Sequence, residues 1–175
     1  MGGISRAITF AAALCATIAF DVASVDAGGA VTTNLFLPLT GNPLIFPPSP
    51  CASSGDTVPI TGNVHVVSIV PPTPIVPPSP IRLHFNLADV MGTGTMSGNI
   101  YIGTGVQDVT VPPTPVIPVP ATFTLQHTDG CADTPLPVFF ILNFDASGHL
   151  LQDGSSASLG QCNFDNPSLC NGTGG

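Results

Sequence analysis

The pentapeptide VPPTP occurs twice, at residues 70–74 and 111–115. Each copy ends a run of alternating apolar and polar residues, and each is followed by more proline and then another alternating run. Proline fixes its backbone φ and has no N–H to donate, so it is kept out of helix interiors and central strands. Alternation of period two is the mark of a half-buried strand. Together these features predict two β-hairpins with matching stiff tips, Pro71, Pro72, Thr73 and Pro74 in one and Pro112, Pro113, Thr114 and Pro115 in the other. Consecutive antiparallel strands reverse direction, so the tips, read as 71–80 and 112–120, should be neighbours at one end. A stiff, extended arm loses little entropy on binding, which points to a recognition or adhesive edge. The plainer alternative is a semi-rigid tip that only shields the sheet edge.

The remaining segments follow the same period. Val31, Thr33, Leu35 and Leu37 share one face of a first strand, which Gly41, Asn42 and Pro43 end. LIFPPSP then reads as extended polyproline leading to Cys51. Val58, Ile60, Val64 and Val66 share a parity in a strand bent at Gly62, and Ile81, Leu83, Phe85 and Leu87 form the most regular alternation. If Val70 pairs with Ile81, His65 lies opposite Asn86 and diagonal to His84. Ile100, Ile102 and Val106 open the next strand, while Val109 and Val111 have the other parity, which predicts a bulge in 103–105 that flips the face. Phe123 and Leu125 follow, then VFFILNF (138–144), apolar on both parities and expected to be deeply buried. Asp145 to Gly148 makes its turn, and 149–151 with 156–159 add a last short strand. Apolar residues do not recur at three and four, so helix is not predicted. The expected fold is all-β: a single antiparallel sandwich or partly open up-and-down barrel of about seven or eight strands over 28–160.

Residues 1–27 have the form of a secretory signal, with Arg6 ahead of an apolar run from 7 to 20. Val25 and Ala27 suit the −3 and −1 positions, so cleavage is expected before Gly28, with Ser24 as second choice. The run is too short to span a bilayer, and Leu14 before Cys15 does not fit a lipoprotein signal. The exported portion then has no Lys, no Glu, one Arg (Arg82) and eight Asp residues. Such a chain has almost nothing with which to neutralise a phosphate backbone, which argues against nucleic acid and anionic membranes as partners. Four of the five cysteines remain: Cys51, Cys131, Cys162 and Cys170, an even count that suits two disulfides in an exported chain. Cys51 with Cys162 and Cys131 with Cys170 is one pairing, and Cys162 with Cys170 as a local tail loop over 161–175 is its rival.

Chemical motifs are sparse. There is no GxSxG, no HExxH and no phosphate-binding glycine loop after a strand. The chain has no Glu, so a paired-carboxylate hydrolase would need two Asp side chains that nothing in the sequence singles out. No enzyme activity and no cofactor are predicted. His65 and His84 are weak zinc or copper candidates, being two ligands without a third. His127 and His149 have no paired motif. Asp129 with Asp133, and Asp145 with Ser147, could offer calcium oxygens, but Asp in a turn usually bonds its own backbone. Asn171, Gly172 and Thr173 form a glycosylation sequon at the tail.

Between residues 51 and 105 a set of positions stands out: Cys51 after a proline, His65 in TGNVH, His84 and Asn86 in HFN, Gly92 and Gly94 in GTG, and Tyr101 before the TG that ends at Gly105. In these the chain resembles a group of small secreted bacterial proteins of unknown function. The resemblance covers about a third of the chain and implies a secreted, all-β protein; it implies no mechanism, and the proline tips depart from the group's short polar turns. Two functions fit the whole: a secreted, non-enzymatic module making an adhesive or structural contact through its proline tips, or a lipocalin-like barrel holding a small apolar ligand. In the second, Val64, Val66, Leu83, Phe85, Ile100, Phe123, Leu125 and Phe140 would line the hollow.

Overall fold

The structure, a computed structural model, describes residues 24–25, 29–48, 54–72 and 80–160. Their regular structure is all β. The strands are β1 Ser24–Val25, β2 Val31–Thr40, β3 Leu44–Phe46, β4 Asp56–Val58, β5 Ile60–Val70, β6 Ile81–Thr93, β7 Ile100–Thr104, β8 Val106–Val111, β9 Val116–His127, β10 Thr134–Phe144 and β11 Leu150–Leu159. Seven of them close a barrel in the order β2, β5, β6, β7, β9, β10, β11 and back to β2. Successive strands of that ring run antiparallel except the last junction, where β11 meets β2 in parallel, Ala157 beside Leu39 and Ser158 beside Thr40. This is a parity requirement: alternating directions close consistently only around an even number of strands, so a ring of seven must contain one parallel contact.

Gly105 separates β7 from β8 with a φ of 125°, a region that favours glycine. On one side of it β7 pairs with both β6 and β9, Tyr101 facing His127. On the other, β8 follows β6 alone, from Asn86 beside Val106 to Ile81 beside Val111. A seam therefore runs between β8 and the first half of β9. Thr122 sends its N–H across the seam, but to the Gln107 side chain (Oε1, 2.9 Å) rather than to backbone. Pro118 and Pro120 have the same parity as Thr122, so their nitrogens face the seam with no hydrogen to donate, and a ladder cannot form there.

The inward faces of β2, β5 and β6 follow the predicted alternation: Leu35, Leu37 and Leu39; Val64 and Val66; Ile81, Leu83 and Phe85 are buried. The predicted pairing also holds, with His65 opposite Asn86. Phe85 on β6 stacks on Phe140 of β10, ring centroids 4.4 Å apart, so two walls touch across the middle of the barrel. Such a pair contributes about 0.5–1.5 kcal/mol beyond its area burial.

Several expectations are corrected. Ile100 and Ile102 face outward, 49% and 39% exposed, and Tyr101 takes the inward place. The face does not flip at 103–105, since Tyr101, Val109 and Val111 share one inward parity; Gly105 splits the strand instead. The second proline tip ends at Pro115, and Pro118 and Pro120 lie within β9. Ile141, in the run expected to be buried on both faces, is 49% exposed. The LIF of the proline-rich segment forms β3, which pairs with β4 as a small second sheet, and β11 is one continuous strand. Residues 1–23, Thr73, Pro74, Cys51, Cys162 and Cys170 lie outside the described residues.

Candidate functional site

The barrel has two unlike ends. At one, which we term the cap pole, Leu44, Phe46 and Val58 of the small sheet are buried against the core. Asp56 at the start of β4 is only 3% exposed. Its Oδ1 accepts the N–H groups of Thr57 (2.9 Å) and Met96 (3.1 Å). Its Oδ2 accepts the hydroxyls of Ser97 and Tyr101, the latter at 3.1 Å. Burial alone would raise the Asp56 carboxyl pKa; the bonds from Ser97, Met96, Tyr101 and Thr57 outweigh it and hold the value below the usual 3.8. The same surroundings raise Tyr101, first through burial and then through the Asp56 carboxylate. A Cβ on Gly94 would overlap Asp56 Oδ2, so this close approach requires glycine. The arrangement clamps the loop between β6 and β7 onto the small sheet.

Beside it Tyr101 packs edge-on against His127 (4.7 Å) and flat against Phe46 (5.3 Å). His127, Asp129 and Cys131 come within 4.8 Å of one another, a grouping suited in principle to a metal. Cys131 is already engaged, however, and is not an open ligand. Asp129 accepts from Asn99 Nδ2 (2.6 Å) and from the Cys131 N–H (3.0 Å). Its carboxylate is spent on fastening loops.

At the other end, the proline pole, Pro71 and Pro72 of the first repeat and Pro113, Thr114 and Pro115 of the second line one open cavity of about 360 Å³. Gly29, Val31, Val70, Ile81, Phe144 and the turn at 145–148 complete it. That turn is closed by Asp145, whose Oδ1 accepts from Ser147 N (2.8 Å) and His149 N (2.9 Å) and whose Oδ2 meets His149 Nδ1 at 3.1 Å. The His149 N–H is the largest influence; with the other bonds it holds the Asp145 carboxyl below its ordinary value against a smaller opposing effect of burial. As the turn chemistry suggested, the carboxylate serves its own backbone.

The two weak metal candidates turn apart. His65 stacks on Phe36 of β2 (4.6 Å), whereas His84 Nδ1 meets Asp108 Oδ1 of β8 at 2.8 Å. Comparison with family models, curated proteins and solved structures finds no match for this chain. The residues that sequence reasoning missed are Asp56 and the inward Ser68. Neither belongs to a motif, and Asp56 gains its role only when Ser97 and Tyr101, distant in sequence, fold against it.

Proposed function

We propose that this protein is an exported, non-enzymatic β-barrel module that makes its contact through the proline pole. What supports this is the meeting of Pro71 and Pro72 of the first VPPTP repeat with Pro113, Thr114 and Pro115 of the second at one cavity, opposite the pole that holds the Asp56 clamp. Prolines at a rim present a surface that is ordered before contact, so association costs less entropy. On this reading Cys51, Cys131, Cys162 and Cys170 form two disulfides, and non-reducing peptide mapping that found free thiols would count against it.

Replacing residues 71–80 and 112–115 by Asn-Gly turns, with the thermal midpoint unchanged, is expected to abolish retention of the labelled protein on the surface of the cells that secrete it. Unchanged retention would refute the reading. A second reading, a small apolar ligand, is favoured by the cavity itself. Its volume lies at the lower end of ligand pockets, and its lining mixes apolar side chains with the polar Thr114, Asp145 and Ser147. Because Phe85 and Phe140 meet in the middle of the barrel, such a ligand belongs at the pole and not in a deep central hollow.

A further inference from the structure

Ser68 is fully buried, and its hydroxyl has no hydrogen-bond partner among the described residues. Buried polar groups in folded proteins are almost always satisfied, so an orphan requires a reason. Strand register fixes its position. Val31 stands beside Val70 and Ile81 beside Val111, forming the layer at the cavity. One step inward, Ser68 lies between Thr33 and Leu83. Another step brings Leu35, Val66 and Phe85, closed from the opposite wall by Phe140. Two hydroxyls therefore sit side by side next to the apolar Leu83, about 7 Å below the cavity layer at the usual rise of a strand. Thr33 Oγ1 already accepts the Leu150 N–H (3.3 Å), whereas Ser68 is uncommitted.

The wall around this layer is joined loosely on both flanks. Between β8 and β9 the link is the Gln107 side chain. Between β2 and β11 the ladder pairs lie at Leu39 and Thr40, toward the cap pole, and nearer the cavity the link is Thr33 to Leu150. Neither Thr33 nor Ser68 lines the cavity, so a ligand entering there meets Ser68 only when these side-chain links part, which they do more readily than a continuous ladder.

We infer that the proline-pole cavity is the mouth of a binding site for a small, mostly apolar molecule carrying one hydroxyl or carbonyl group, which Ser68 holds by a hydrogen bond. This rests on the second reading above and adds the polar group that the ligand must carry.

The test uses cyclohexanol and methylcyclohexane, alike in shape and differing in the hydroxyl, titrated into the full exported chain and followed by NMR. Cyclohexanol should shift the Val31, Val70 and Ile81 methyl resonances and bind about five-fold more tightly, the ratio expected of one net hydrogen bond. In Ser68→Ala that preference should vanish while methylcyclohexane binds as before, and Ser68→Thr should restore it. Equal binding of the two ligands, or a preference that survives in Ser68→Ala, overturns the role of Ser68 and leaves the apolar-ligand reading standing. No shift at the pole with either ligand overturns both.

Discussion

At the cap pole a single carboxylate gathers hydrogen bonds from its own strand, from the loop between β6 and β7 and from Tyr101. At the proline pole the turn at 145–148 closes on itself through Asp145, beside an open cavity. At one end the side-chain hydrogen bonds join segments distant in sequence, while the carboxylate at the other bonds its own turn. The contrast explains how a barrel can leave one mouth open. Phe46, Tyr101 and His127 pack beside the clamp and cover that end, whereas the opposite rim surrounds an open cavity. Proline suits that rim because its fixed φ supplies local rigidity, to which the Phe144 N–H adds a hydrogen bond to the Pro115 carbonyl (2.8 Å).

The largest effect should come from breaking the clamp. Asp56→Ala leaves the buried Tyr101 hydroxyl and the Met96 N–H without their acceptor, and is expected to cost about 2–4 kcal/mol. Thermal unfolding would measure it, and a loss as small as that of a surface substitution would show that the cap does not anchor the barrel. Protonation should mimic the variant in part. The folded pKa of Asp56 is depressed, so its contribution is present above the ordinary value of 3.8 and is lost as pH falls through the lower folded value. Acid should therefore loosen 94–99 first, seen as faster amide exchange at Met96. In Asp56→Ala that pH dependence should be absent.

What the sequence could reveal was the part governed by local periodicity. Leu35, Val64 and Phe85 point inward because alternate residues of a strand share a face, and a single assumed pair, Val70 with Ile81, correctly placed His65 against Asn86. The same rule failed at Ile100 and Tyr101. There both parities were apolar, and the choice was made by Asp56, 45 residues away, which gives the Tyr101 hydroxyl a buried partner. β3 was hidden because LIF is followed at once by prolines, and only its pairing with 56–58 makes it a strand. Ser68 was hidden for a different reason. A serine on an apolar face carries no signal of its own, and its isolation emerges only from the burial of all that surrounds it.

The smallest expected effect concerns the seam. Gln107 replaces the missing ladder by accepting the Thr122 N–H, while Pro118 and Pro120 leave the rest of that edge without donors. Gln107→Leu keeps the side-chain bulk and removes the acceptor, so the loss should be that of one partly exposed hydrogen bond, about 0.5–1.5 kcal/mol. Amide exchange at Thr122 should quicken, while exchange at Tyr101 and Ile102, beyond Gly105 on the paired side, stays unchanged. That difference separates a local stitch from a general weakening of the barrel. If protection fell equally on both sides of Gly105, the proline half could not open independently of the cap, and access to Ser68 would require the whole ring to breathe.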